Sequence, residues 1–168
     1  MVRKAMATSN DAALTVLRVV LGGVFFAHGA QKLLGWFGGP GLSGTMKGFT
    51  DYLHIPSPLA LLAIAAEFFG GLALVAGLFT RLAAAGVAVN MVVATALVHA
   101  PFGFFMNWTG TQKGEGFEYH LLALAAAAVL ILRGAGALSL DRLLAGPKNP
   151  ETAAATRKAP GLELSKIA

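Results

Sequence analysis

Cysteine is absent from this chain. Disulfides, thiolate metal sites and thiol catalysis are therefore excluded, and the protein cannot be its own thiol redox centre. Charge is scarce as well: Asp, Glu, Lys and Arg make up 12% of the 168 residues, and Asp and Glu together number 8. No phosphate-binding loop, dinucleotide fingerprint, Ser-His-Asp context, His-x-x-His or His-Glu-x-x-His spacing occurs. Motifs thus give no support to nucleotide chemistry, triad hydrolysis or a bound metal, and no metal site is expected. Strand-length segments of alternating polarity are missing too, which argues against a membrane β-barrel.

Hydrophobic residues, by contrast, form 56% of the chain. About 20 apolar residues cross the hydrocarbon core of a bilayer as a helix, and four runs qualify: Ala13–Leu34, Pro58–Leu78, Leu82–His99 and Glu118–Leu138. Backbone groups in lipid must be satisfied within their own segment, so these runs are expected to be helical. The expected fold class is all-α, an integral membrane bundle of four transmembrane helices. A leader spans residues 1–12, a membrane domain 13–143, and a basic tail 144–168 has too few apolar residues for a core and is expected to be disordered. The first run carries Arg18, His28 and Lys32 and is longer than a signal-peptide core of ~7–15 residues, so it reads as a retained helix.

The net charge of +5 has the sign that nucleic acid attracts, but its placement argues against such a partner. Arg3 and Lys4 precede the first run, Arg81 lies in the short turn between the second and third, and Arg133, Arg142, Lys148, Arg157, Lys158 and Lys166 follow or close the fourth. The long loops hold only Lys47 and Lys113. By the positive-inside rule both termini and the Arg81 turn are expected in the cytoplasm, with the basic groups against anionic lipid. Within the first long loop, Thr45–Leu53 is expected as a short surface helix; the apolar half of the second, Ala100–Phe117, is expected on the membrane surface or over the bundle mouth.

The few ionisable groups inside the runs are the most informative. Glu67 lies mid-run, where a carboxylate costs at least ~2.5–3.5 kcal/mol on insertion scales and so normally faces a protein interior with a partner. At ~1.5 Å of rise per residue it sits roughly 13 Å below the outer boundary, with His28 roughly 9 Å and Lys32 roughly 3 Å below it. His99, Glu118, Tyr119 and His120 fall at that boundary. At about 100° per residue, Arg18, Gly22, Phe25, Gly29 and Lys32 share a stripe of the first helix with His28 on its flank, while Ala60, Ala63, Glu67, Gly70, Gly71 and Leu74 share a face of the second. Small residues on both faces allow close helix approach. Asn90 and His99 fall on opposite faces of the third helix and share a pocket only if it bends near Pro101. His28, Lys32, Glu67 and Glu118 are accordingly the ligand-binding candidates. Arg18, Asn90 and His99 are read as structural polar or ion-pairing groups, and the pattern leaves open whether Glu67 meets Arg18 or Lys32.

The segments Leu17-Arg18-Val-Val-Leu-Gly22, Phe26-Ala-His28-Gly29-Ala-Gln-Lys32, Ala66-Glu67-Phe-Phe-Gly70-Gly71, Glu118-Tyr119 and Gly134-Ala-Gly136-Ala-Leu-Ser139-Leu-Asp141 resemble the DoxX family over residues 13–143. The resemblance implies a four-helix inner-membrane protein similar to the membrane subunits of thiosulfate:quinone oxidoreductases, and to a membrane component of oxidoreductase complexes that include a sulfurtransferase and a superoxide dismutase. It implies protein partners in a redox complex, and a homo-oligomer is an open option. Two functions compete. One is a redox-complex subunit that binds a quinone, whose carbonyls need donors and whose reduction needs a protonatable group; His28, Lys32, Glu67 and Glu118 supply those types. The other is a non-catalytic membrane scaffold or assembly factor, in which a buried Glu67 merely ties helices together. A small transporter ranks below both, for want of an inverted repeat or broken span.

Overall fold

The structure, a computed structural model, describes residues 6–146. Its elements are α1 (Ala12–Leu34), α2 (Gly41–Lys47), α3 (Ser57–Ala76), α4 (Thr80–Ala94), α5 (Glu118–Arg133) and α6 (Leu140–Ala145). Single 3-10 turns stand at Trp36–Gly38 and Ala100–Phe102, and π-turns at Gly48–Tyr52 and Thr95–His99. Among the described residues there is no strand. The short surface helix expected over Thr45–Leu53 begins earlier, at Gly41, and ends in the first of these π-turns.

Among the described residues three helical stretches are long and apolar enough to cross a membrane: Ala12–Leu34, Ser57–Ala76 and the composite Thr80–Phe102. The fourth, α5, has 16 residues, about 24 Å of helix against ~30 Å of hydrocarbon. Its helix therefore stops short of the Leu138 expected from hydropathy. The cause is local, because Gly134 and Gly136 adopt φ of 83° and 78°, conformations that L side chains resist. There the chain leaves the helix, and carbonyl groups that lack helical partners must find others. Gly77, at φ 67°, likewise ends α3 before the expected Leu78. At the other boundary, Asp11 caps α1 by accepting the N–H groups of Ala13 and Leu14.

In the bundle α1 lies along α3, α3 against α4, α4 against α5, and α1 also touches α5. Glycine makes the α1–α3 seam. A Cβ added at Gly29 would fall 2.4 Å from Phe68 N, one at Gly71 2.4 Å from Phe26 N, and one at Gly22 2.7 Å from the Gly71 carbonyl oxygen. Such backbone contact provides dispersion that lipid chains do not match between bulkier helices. Leu21, Phe25, Leu74, Val87, Met91, Ala127 and Leu130 fill the centre. Val16, Val20, Leu62, Phe69, Leu82, Val89, Leu122 and Leu132 point outward and are exposed, whereas Arg18, Glu67, Thr80, His120, Ser139 and Asp141 are buried. Apolar side chains outside and polar ones inside is the distribution that a bilayer, and not water, selects. This is an integral membrane protein.

Residues 1–5 and 147–168 lie outside the described residues, and with them nearly all of the tail expected to be disordered. Leu144 and Ala145, which the sequence placed in that tail, close α6, a helix capped by the Ser139 hydroxyl accepting the Arg142 N–H. The last part of the leader is bonded to the bundle: the Ala7 carbonyl accepts from Arg81 at 3.3 Å, and Thr8 Oγ1 accepts from Gly136 N at 2.6 Å.

Candidate functional site

The bundle has two polar ends, and they differ in what their charged groups meet; at the turn end Ser9 Oγ, Thr80 Oγ1 and Arg81 Nε are buried without partners. At the turn end, where Gly77–Phe79 joins α3 to α4, the Arg18 guanidinium is buried from α1 and donates to five carbonyl oxygens. Nη1 reaches Leu74 (2.9 Å) and Val75 (2.5 Å) at the end of α3; Nε and Nη2 reach Ala135 (2.9 Å), Ala137 (3.4 Å) and Leu138 (2.6 Å) beyond α5. These carbonyls lie where Gly77 and Gly134 end their helices. The Asp141 carboxylate completes the arrangement by accepting the Phe79 and Thr80 N–H groups at 2.7 and 2.9 Å, at the start of α4. Arg81 donates to the Ile131 and Leu132 carbonyls at the end of α5. The partners of Arg18 are thus backbone carbonyls, not Glu67. Asn90 also meets backbone, joining α4 to α3 through Nδ2 and the Ala63 carbonyl at 2.8 Å.

Around the loop end the polar groups meet each other. Lys32 Nζ of α1 donates to Glu67 Oε2 of α3 at 2.5 Å, with the side chains 27% and 10% exposed. Beside this pair lies a cavity of 390 Å³, within the size range of small-molecule sites. Lys32, Glu67, His28, His99, Tyr119 and His120 line it, with Phe25 and Met91 from the core and Phe49, Met106 and Glu115 from the loops. Two buried polar atoms there lack any hydrogen-bond partner, Tyr119 OH and His120 Nδ1. Buried polar atoms are nearly always paired, so an orphaned couple on one wall marks a place where a ligand or water is expected.

His99 reaches this wall by a change of helical phase. A straight α-helix puts it opposite Asn90, but the π-turn Thr95–His99 inserts an extra residue per turn just before Pro101 and rotates the chain back. Its ring lies 4.0 Å from that of His120, tilted by 43°, and its Nδ1 donates to the Glu115 carbonyl at 2.8 Å. Glu118 takes a different place. Its Oε1 accepts the Met106 N–H and the Trp108 Nε1–H, both at 3.0 Å, so it fastens the loop over the bundle and is not on the cavity wall. Backbone bonds from Phe117 N to Gly103 O (3.2 Å) and Glu118 N to Phe104 O (2.9 Å) close the same loop.

Three of the four ligand candidates, His28, Lys32 and Glu67, therefore share the cavity, and Glu118 does not. His99, read from sequence as structural, is there as well. Tyr119 and His120, at the outer boundary by sequence but outside the candidate set, are on the cavity wall too. Their signal was a histidine and a tyrosine opening a membrane helix at the depth of His99. The resulting chemistry is a neutralised ammonium–carboxylate pair, three imidazoles and a phenol around a space walled by aromatic and thioether groups. It suits a ring with hydrogen-bond acceptors that exchanges protons.

A family model described as DoxX matches residues 13–100. A protein of Bacillus subtilis (strain 168) named "Putative oxidoreductase CatD" is 30% identical over 152 residues, covering 89% of this chain and 100% of that protein. "Inner membrane protein YqjF" of Escherichia coli (strain K12) is 29% identical over 135 residues, 80% of this chain and 94% of that one. No solved structure matches the chain.

Proposed function

Because the chain belongs to the DoxX family, we propose that it is an inner-membrane subunit of an oxidoreductase complex whose loop-end cavity receives a quinone head group. The observation that carries this reading is the gathering of Lys32, Glu67, His28, His99, Tyr119 and His120 around 390 Å³ of space, with Tyr119 OH and His120 Nδ1 unpartnered. The relatives' printed names, an oxidoreductase and an inner membrane protein, point the same way. Both termini lie in the cytoplasm on this reading, as the Lys and Arg placement directs, and the complex serves sulfur or oxidative-stress redox chemistry.

A quinone, when bound, supplies a couple of two electrons and two protons. The chain's own residues position it and handle the protons. Lys32 and the imidazole N–H groups donate to carbonyl oxygens, Glu67 holds the ammonium in place and exchanges a proton, and Phe25, Phe49 and Met91 exclude water from around the ring. Electrons come from a partner protein, since without cysteine this chain cannot hold an iron–sulfur cluster by thiolates.

The test compares wild type with Glu67→Gln, purified in mild detergent, by mass spectrometry of co-purified small molecules and by titration with decylubiquinone. Quinone enriched over bulk membrane in wild type and lost in a folded Glu67→Gln is the expected result; equal binding by the two proteins overturns the site. One observation favours a second reading, a scaffold or assembly factor: Lys32 and Glu67 satisfy each other and join α1 to α3. That reading predicts no quinone in either protein, and loss of thermal stability on breaking the pair.

A further inference from the structure

We propose that the loop-end cavity opens sideways into the bilayer, through a gap between α1 and α5 at His28, and that its ligand carries an apolar tail lying in that gap; the identity of the ring at its head rests on the quinone reading above. The gap follows from one line of residues on α1. Leu14, Leu21 and His28 recur at every second helical turn and so stand along one face. Leu14 is buried, and a Cβ added at Gly136, just beyond α5, would fall 2.7 Å from Leu14 Cβ. Leu21 is buried in the core with Ala127 and Leu130 of α5. His28 is exposed. The face that is covered at the turn end and in the middle of the bundle is therefore bare beside the cavity, where α1 and α5 part.

The other sides of the cavity are closed. Lys32 and Glu67 join α1 to α3 at 2.5 Å, and Gly29 lies against the Phe68 backbone. Asn90 bonds α4 to the Ala63 carbonyl of α3 at 2.8 Å, and the rings of His99 and His120, 4.0 Å apart, close the π-turn after α4 onto α5. On the loop side Phe49, Met106 and Glu115 cover the space, and Glu118 fastens the second loop there by accepting the Met106 N–H and the Trp108 Nε1–H at 3.0 Å. Ionisable side chains at membrane depth nearly always turn to the protein interior. His28, roughly 9 Å below the boundary, lines the cavity and is exposed as well, so it stands in the opening.

The track that leads to His28 is apolar. Val20, Val24 and His28 follow one another at four-residue steps, a ridge along α1, and Val20 and Val24 are 61% and 36% exposed. From His28 down to Val20 the ridge runs about 12 Å. A hydrocarbon tail laid along it stays in contact with helix and lipid while the ring at its head meets His28, Lys32 and Glu67. A water-soluble ligand has no use for such a path, and a plain acyl chain brings no acceptor to the polar groups. The ligand class is thus a membrane-soluble ring with hydrogen-bond acceptors and a tail long enough to cover Val24.

The chain has no cysteine, so a single introduced thiol carries a nitroxide at one chosen place. The experiment reconstitutes the full chain, as His28→Cys, in liposomes of phosphatidylethanolamine and phosphatidylglycerol, with Val20→Cys as the lipid-facing reference and Thr109→Cys as the loop reference. Electron paramagnetic resonance then reads accessibility to oxygen and to a water-soluble nickel chelate. Oxygen access close to that of the lipid reference, with little access by nickel, is expected at position 28. Nickel access like that of the loop reference makes the entrance aqueous, and access by neither closes the seam; either result overturns the gap. The tail is tested by Val24→Trp, which obstructs the ridge beneath His28 and replaces none of the groups that meet the ring. Its affinity for decylubiquinone is expected to fall about tenfold, with little change for the same ring without its tail. An equal change for the two compounds overturns the tail path. Failure of wild type to bind either compound refutes the quinone reading, and the nitroxide accessibilities still decide whether the cavity opens to lipid.

Discussion

The turn end and the loop end both bury charge, yet they use it in opposite ways. Around Gly77 and Gly134 the charged groups meet the backbone: Arg18 donates to carbonyls from two separate chain segments, and Asp141 accepts the first amides of α4. Both of these charges are matched to backbone groups where two helices end, although Arg81 Nε, Thr80 Oγ1 and Ser9 Oγ of the same region have no partner. Around Lys32 and Glu67 the side chains meet one another across a cavity, and Tyr119 OH and His120 Nδ1 meet nothing. In a membrane protein the partner of a buried charge is therefore more telling than the charge itself. Backbone partners indicate architecture, and side chains facing an open space indicate a site.

The sharpest way to break this contrast is Arg18→Met. It takes a donor from five carbonyls, of which Leu74 and Ala137 keep another, in Gly77 N–H and the Thr15 hydroxyl, at a cost of about 3–5 kcal/mol for a broken buried charge network. The unfolding midpoint in detergent should fall by about 10 °C or more, and Arg18→Lys should not restore it, because an ammonium lacks the fork that reaches both segments. A midpoint within ~2 °C of wild type would remove the distinction between the ends. Next in size is Gly29→Ala, whose added Cβ meets Phe68 N at 2.4 Å and the Glu67 carbonyl carbon at 2.9 Å. Backbone cannot step aside as a side chain does, so α1 must move off α3 directly beneath the cavity. The expected loss is ~1–3 kcal/mol in thermal unfolding, together with weaker decylubiquinone binding.

Sequence periodicity reached much of this. Arg18, Gly22, Phe25 and Gly29 of the first stripe are buried in the structure and Lys32 is half-buried; on the facing helix Ala60, Glu67, Gly70, Gly71 and Leu74 are buried and Ala63 is half-buried. Rotation per residue is a local property, and it carries directly from chain to helix. Partners set by distant backbone are not local. The carbonyls that hold Arg18 lie as many as 120 residues along the chain, and those beyond α5 lie where Gly134 and Gly136 stop it, whereas hydropathy alone carries the helix on to Leu138. His99 escaped for a related reason: a π-turn changes the phase of every residue after it, and no composition signal marks that turn.

Replacing the loop-end ion pair separates stability from binding. Lys32→Met alone leaves the carboxylate of Glu67 unpaired, whereas Lys32→Met with Glu67→Leu removes both charges. The double variant is expected to unfold within about 1–2 kcal/mol of wild type, since apolar groups of similar size often replace such a pair without loss. Decylubiquinone affinity is nonetheless expected to vanish. A double variant as unstable as Arg18→Met would place this pair in the same class as the turn-end charges and support the scaffold reading.

The smallest effect belongs to Glu118→Gln, and it tests where the boundary between the two regimes runs. Glu118 stands at the loop end but behaves like a turn-end residue, its Oε1 accepting one backbone and one indole N–H. Glutamine keeps an oxygen acceptor and loses the charge that strengthens both bonds, so global stability should change by about 1 kcal/mol or less. The effect should instead be confined to the loop: faster hydrogen exchange at the Met106 and Trp108 amides, with decylubiquinone binding retained. If binding is lost while the loop stays protected, Glu118 acts on the ligand, and the cavity extends further toward α5 than its present wall.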